Sequence, residues 1–265
     1  MNTTTAPVLV TGGTGTLGRH VVPLLRKAGR EARVLSRHAH DPAEGIEYVS
    51  CDLRTDEGLD AAVAGTETVL HLAGGPKGDD EATRNLVRAA QEAGVRHLVY
   101  ISVIGADRVP LAWLRSKLEA ERAIAGAGIA WTTLRAAQFH DLALLMAEKM
   151  TKLPVIPVPG GLRMQPVDVG EVAARLVELT LGEPAGLVPD LAGPAVYDLA
   201  DLLRTYLTAR GKHRPMLPVR MPGKAGRAYR SGANLALDGA ERGTRTWEEF
   251  LAGRVNGPAR EKAGA

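Results

Sequence analysis

Short runs of apolar residues alternate along this chain with longer stretches in which apolar residues return every three or four positions, which predicts strands interleaved with amphipathic helices. Val8–Val10 reads as a buried strand; after it Leu17, Val21, Leu24, Leu25 and Ala28 fall at helical spacing, with Gly29 as the stop. The pattern then repeats: strands over 31–37 and 46–53, a helix over 57–64, and a buried strand at Val69–Leu72. A helix with Leu86, Val87, Ala90 and Ala93 on its apolar side ends at Gly94, before a strand over 95–103. A helix within 110–128, a strand from Ile129 and a helix over 142–150 follow, and another helix begins near Asp168, a natural N-cap. Such regular alternation implies a parallel sheet with helices on both faces.

Three segments break the rhythm. Residues 154–161, PVIPVPGG, read as a proline-rich loop and lid. From Gly182 onward the chain reads as a small lobe with a helix over 198–207, an extended stretch over 215–222 and a terminal helix over 244–251. The expected organisation is therefore a main domain over 1–185, a C-terminal lobe over 186–252 and a disordered tail over 253–265, with 139–165 adding to a pocket. No internal repeat or low-complexity tract appears.

Composition narrows the class. An apolar content of 45%, a charged content of 24% and a net charge of +3 are those of an ordinary globular protein. No stretch approaches the roughly 18 consecutive apolar residues of a membrane span, and a cytoplasmic protein without membrane contact is expected. Cys51 is the only cysteine, which excludes an intrachain disulfide and CxxC chemistry. No His, Cys and carboxylate spacing suggests a metal, and no GxSxG elbow suggests a hydrolase. Between Arg204 and Arg230 lie eight Lys or Arg and no acid. Three prolines and a dearth of aromatics there argue against a nucleic-acid partner, so solvated surface or an anionic ligand is the expectation.

The candidate chemistry starts at the turn between the first strand and helix. Gly12, Thr14, Gly15, Thr16, Leu17 and Gly18 form a glycine-rich loop opening a helix. There Gly12 permits a tight turn, Gly15 lets a pyrophosphate approach the backbone, and Gly18 lets the helix pack on the strand. The helix start then favours an anion. A Walker-type loop is ruled out by Arg19 and His20 where Lys and Ser/Thr would be required. At the tip of the second strand, where NAD-binding chains place an acid, stand Ser36 and Arg37. A hydroxyl and a cation suit a 2′-phosphate, so NADP(H) is the expected cofactor and NAD(H) the alternative.

The GxxGxxG spacing resembles the extended and atypical branches of the short-chain dehydrogenase/reductase superfamily. Residues from Ile129 to Leu142, together with Val167-Asp168-Val169, resemble its NmrA-like branch. The resemblance implies a Rossmann-type doubly wound α/β fold with a small C-terminal α/β substrate lobe. It implies Asp52 and Leu53 at the adenine, Ala73, Gly74 and Gly75 beside the ribose, and Ala136 and Ala137 along the nicotinamide. Ser102 lies near the tip of a strand, where ligands gather. The superfamily's Tyr-x-x-x-Lys reads here as Trp113 to Lys117, and an indole exchanges no proton near neutral pH. Lys117 is left as ribose anchor, proton donor through water or catalytic lysine of the isoflavone-reductase-like kind, and Ser102 is the second catalytic candidate or a small residue satisfying backbone groups. Against these stands a lysine merely snorkelling past its apolar neighbours. Trp113, Gln138, Phe139, His140, Met164 and Gln165 are the expected substrate contacts. His71 reads as a packed strand residue. Two functions fit: a reductase passing hydride from NADPH to a small quinone, enone or imine, or an NADP(H)-binding redox sensor that reports to a protein partner. A monomer or homodimer serves either.

Overall fold

A computed structural model of the chain describes residues 6–41, 43–75 and 78–255. The first half is β1 (Val8–Thr11), α1 (Gly18–Lys27), β2 (Ala32–Ser36), β3 (Ile46–Ser50), α2 (Leu59–Val63), β4 (Thr68–His71), α3 (Asp79–Glu92), β5 (His97–Val103), α4 (Ala112–Ala125) and β6 (Ala130–Ala136). Then come α5 (His140–Met150), β7 (Ile156–Pro159), β8 (Arg163–Met164) and α6 (Val169–Leu181). The remainder is β9 (Gly186–Leu187), β10 (Leu191–Ala192), β11 (Tyr197–Asp198), α7 (Leu199–Ala209), β12 (Met216–Val219), α8 (Gly223–Arg230), β13 (Glu241–Arg242) and α9 (Trp247–Val255). No described helix is long and apolar enough to cross a membrane.

The main sheet runs β3-β2-β1-β4-β5-β6-β10-β13, with β9 also on β6, and every described pair in it is parallel. This is the expected doubly wound arrangement. Strands buried on both faces need no polar alternation. In β1, Val8 and Val10 pack with Val21, Leu25, Val172 and Leu176 of α1 and α6, while Leu9 packs with Leu59, Leu86, Ala120 and Ile124 of α2, α3 and α4. Asp168 caps α6 as expected, its Oδ1 accepting the Gly170 N–H at 2.8 Å. A capping box starts α9: the Glu249 N–H donates to Thr246 Oγ1 at 3.2 Å, and the Thr246 N–H to Glu249 Oε2 at 2.8 Å.

A separate core joins Ala143 and Ala147 of α5, Ile156 and Val158 of β7, Leu202 and Leu203 of α7, and Trp247 and Phe250 of α9. Its residues come from both sides of position 185, and β9, β10 and β13 return to the main sheet. The lobe is thus built in space from two separated stretches of chain, which a boundary drawn along the sequence does not capture. The proline-rich segment contains a strand, β7, paired in parallel with β12. Ile156 and Gly160 donate to Pro215 and Val219 carbonyls at 2.9 Å. Pro157 and Pro159 fall at the alternate positions, whose nitrogens face away, so the pairing loses no donor. Helix α8 occupies the end of the basic block, beyond the extended stretch over 215–222, where the sequence pattern assigned no element. Of the expected tail, residues 253–255 close α9 and 256–265 lie outside the described residues.

His71 is a packed strand residue, 1% exposed. Its tautomer follows from its neighbours. Thr83 Oγ1 gives its proton to the Asp79 carbonyl at 2.6 Å, so His71 Nε2 donates to Thr83 at 3.0 Å. Nδ1 then accepts from Thr11 Oγ1 at 2.6 Å, and that oxygen accepts the Leu72 and Ala73 N–H groups at 3.2 and 3.1 Å. This closed network ties the ends of β1 and β4 to the start of α3, with the imidazole neutral. Burial, aided by the Lys117 charge, lowers the His71 pKa to about 3 from an ordinary 6.5. The folded value lies below the unfolded one, so the contribution to stability is complete above pH 6.5 and is lost as pH falls toward 3. Burial lowers His97 and His140 in the same direction. Urea midpoints are expected to fall across this window, His71 accounting for roughly 5 kcal/mol at most. His71→Gln should lower stability at pH 7 and flatten the acid limb; an unchanged pH dependence would refute the assignment.

Candidate cofactor site

The strand order reverses between β1 and β4, and a crevice opens there beyond the strand C-termini. A cavity of about 800 Å³ occupies it, running from Ser36 and Arg37 past the glycine turn to Ser102, Lys117 and Phe139.

The three glycines of the turn do different work. Gly12 has φ +68° and its Hα faces β4, where a Cβ would lie 2.7 Å from the Ala73 nitrogen. Gly18 sits under the turn, not on the cavity wall; a Cβ there would lie 2.4 Å from the Gly12 oxygen and Gly13 carbons. Gly15 lines the cavity, and a Cβ would meet only the Gly12 oxygen, at 3.2 Å. Helix α1, which follows, has no side-chain cap and no acid in its first turn, so its positive end is left for an anion.

At one end of the cavity Ser36 is 7% exposed, its hydroxyl accepting the His38 N–H at 3.2 Å and lying 2.8 Å from His40 Nε2. His40 lies against Tyr48 with ring centroids 4.8 Å apart and planes tilted by 30°, and Arg37 stands exposed beside the cavity. Asp52 accepts the Arg54 N–H at 2.9 Å, and Arg54 lies on the rim. Cys51 is buried next to them, and burial, then the Asp52 charge, pushes its thiol pKa up, away from reactivity.

Toward the other end, Lys117 Nζ lies 3.0 Å from Asp79 Oδ2, both side chains at most 10% exposed. Asp79 Oδ1 accepts the Gly75 N–H at 2.6 Å, and Lys117 Nζ stands 5.3 Å from the Tyr100 ring centroid. Ser102 Oγ donates its one proton to Glu121, whose carboxylate is held by the Arg135 guanidinium at 2.9 and 2.7 Å. The Ser102 hydroxyl is therefore committed, and toward the cavity it offers lone pairs.

Most expected residues meet on this wall: Gly12, Thr14, Gly15, Thr16, Leu17, Ser36, Arg37, Asp52, Leu53, Ala73, Gly74, Gly75, Ser102, Lys117, Ala136, Ala137, Gln138 and Phe139. Four expected substrate contacts do not. His140 is fully buried at the start of α5, its ring centroid 5.9 and 5.0 Å from those of Trp247 and Phe250 and its Nε2 donating to the Arg245 carbonyl at 3.1 Å. The helix begins two residues earlier than its apolar pattern indicated, which turns this side chain into the lobe core. Met164 pairs with Tyr197 in β8–β11 and packs on the same core. Gln165 is 6% exposed and its amide donates to the Gly193 carbonyl at 3.0 Å. Trp113, in the first turn of α4, is half-buried and off the cavity wall. Helical spacing puts Trp113 and Lys117 on one side, but only the lysine stem reaches back to Asp79.

The sequence reading missed Asp79, Arg54, Thr11 and the apolar wall of Leu35, Leu72, Ile101, Val103 and Leu142. Arg54 adjoins Asp52 and was within reach of that reading. Asp79 was not: in sequence it is one of three acids opening a helix, indistinguishable from Asp80 and Glu81.

Residues 12–180 match the NAD(P)H-binding family. The chain is 27% identical over 217 residues to quinone oxidoreductase 2 of Escherichia coli, covering 77% of this chain and 75% of that protein. It is 28% identical over 212 residues to the NAD(P)H azoreductase of Xenophilus azovorans, covering 77% and 74%. Among solved structures it resembles the NADPH-dependent quinone oxidoreductase of Escherichia coli complexed with NADPH, with a TM-score of 0.79, 22% identity and 92% and 98% of the two chains covered. Triphenylmethane reductase of Citrobacter sp. gives a TM-score of 0.76 at 22% identity, with 94% and 99% covered. The match begins on the first glycine of the turn beneath the cavity and runs through almost all of α6, and the chain belongs to the NAD(P)H-binding family.

Proposed function

We propose that the protein is an NADPH-dependent reductase that delivers hydride to a small conjugated acceptor such as a quinone, enone or imine. The observation that carries this reading is one continuous cavity with an anion-favouring glycine turn in the middle, Ser36 and Arg37 at one end and Lys117 near an apolar wall at the other. The reductase relatives support it.

Bound nicotinamide supplies the hydride. The chain's residues do the rest. The turn would hold the pyrophosphate, Lys117 would orient the ribose, and Ala136, Ala137, Gln138 and Phe139 would form the wall beside the nicotinamide and the acceptor. Val103, Phe139 and Leu142 exclude water. A conjugated acceptor spreads the incoming charge onto an oxygen or nitrogen, where the Lys117 ammonium stabilises it and water completes the protonation. No phenol is required for this step. The committed Ser102 proton fits such an acceptor better than a simple ketone, which needs a strong donor at its oxygen. The same commitment, with Trp113 off the wall, also favours the second reading, an NADP(H)-binding sensor without turnover. NADPH oxidation across a panel of quinones, enones, imines and azo dyes, with cofactor affinity measured alongside, separates the two. Tight NADPH binding with no turnover of any acceptor supports the sensor.

Preference for NADP(H) rests on Ser36 and Arg37. A charge-assisted hydrogen bond contributes about 1.5–3 kcal/mol, so Arg37→Ala should weaken NADPH binding by about tenfold to a hundredfold and leave NADH nearly unchanged. Titration of both cofactors checks this; equal losses would refute it.

A further inference from the structure

We infer that Asp79 is the positioning residue for Lys117, holding the ammonium against the cavity wall where a cofactor ribose must pass; this rests on the reductase reading above.

Helix α3 opens with three acids, and all of them suit its positive end. Two serve that purpose at the surface: Asp80 pairs with Arg84 at 3.0 Å, and Glu81 lies 4.0 Å from Arg54. Asp79 alone is buried, at 7% exposure. Burying a carboxylate is costly unless a partner and hydrogen bonds compensate it, and buried pairs are weak evidence of stabilisation for its own sake. Its two oxygens are divided between the parts of the cavity that must be kept in register: Oδ1 takes the Gly75 N–H of the β4–α3 loop, and Oδ2 faces Lys117 Nζ on α4.

The lysine is confined on the other sides as well. A Cβ on Gly74 would lie 2.8 Å from Nζ, and the Tyr100 ring stands behind it. An ammonium has three donors. Asp79 Oδ2 holds it as an ion pair at 3.0 Å without a hydrogen bond of its own, so donors remain for the cavity, at the height of Gly74 and Gly75. Without Asp79 the flexible four-carbon stem has many rotamers, and the donor is no longer preorganised.

The test is a double-mutant cycle of Asp79→Asn and Lys117→Met, read on NADPH affinity, on kcat/KM with an acceptor the wild type turns over, and on thermal unfolding. Asparagine keeps the Oδ1 bond to Gly75 and removes the charge. Asp79→Asn should lower kcat/KM by about tenfold to a hundredfold and weaken NADPH severalfold. In the Lys117→Met background the same change should have less than about a twofold further effect, because its route of action is gone. A structural role would instead add the same loss in both backgrounds, which would overturn the inference, as would an Asp79→Asn variant with wild-type affinity and rate. If Asp79→Asn folds poorly, melting decides: the double variant, with no unpaired buried charge, should melt above Asp79→Asn, and a simple sum of losses overturns the pairing. A wild type that neither binds NADPH nor reduces any acceptor defeats the reductase reading, while melting of the four proteins still tests the pair.

Discussion

Replacing Gly15 by valine is expected to abolish dinucleotide binding in a protein that still folds, whereas Gly18→Ala is expected to compromise the fold itself. The two positions are three residues apart and look interchangeable in sequence. At Gly15 the backbone is not in the left-handed region, and a Cβ meets a single atom at 3.2 Å, so the branched side chain extends into the cavity where a pyrophosphate would lie. Loss of the anion's approach to several backbone donors, each charge-assisted, should weaken either dinucleotide by more than about a hundredfold. At Gly18 a Cβ would overlap three backbone atoms at 2.4 Å, and backbone in a turn packed on β1 has nowhere to go. Overpacking typically costs about 1–3 kcal/mol, and a clash with three backbone atoms falls at the upper end of that range. Cofactor titration and thermal unfolding of both variants are the measurements. A Gly15→Val protein that binds NADPH normally would place the ligand elsewhere, and a Gly18→Ala protein as stable as wild type would contradict the packing described.

Lys117→Ala should cut kcat/KM by about tenfold to a thousandfold, the range for losing one donor aimed at developing charge. Lys117→Arg should restore only part of that, because the planar fork does not fit the space bounded by Gly74, Asp79 and Tyr100. The deletion carries a second effect that the sequence did not disclose. It strands the Asp79 carboxylate, and breaking a buried pair in this way costs about 3–5 kcal/mol. Rates must therefore be normalised to folded protein, and the unfolding temperature should drop for Lys117→Ala more than for Trp113→Phe, which lies off the cavity wall. Full activity in folded Lys117→Ala would remove the lysine from the mechanism.

The sequence by itself determined strands β1 to β6 of the main sheet, the glycine turn and most of the cavity wall. These rest on short-range regularities: buried runs of strand length, apolar spacing of a helix turn, and glycines where a strand meets a helix, each decided by neighbours within a few positions. Ser36, Arg37, Asp52 and the segment from Ala73 to Gly75 follow, because residues at the C-terminal tips of parallel strands converge once the strands pair. Tertiary structure alone decided what those residues may do. Lys117 acquires Asp79 from 38 positions away, Ser102 surrenders its proton to Glu121, and His71 is held neutral by two threonines from β1 and α3. His140 shows the same limit from the other side: an α5 starting two residues early turns its ring from the expected pocket into a core shared with Trp247 and Phe250, more than a hundred residues later. The physical reason is that burial and partner choice for a polar side chain depend on which elements pack over it, a long-range outcome that no local spacing encodes.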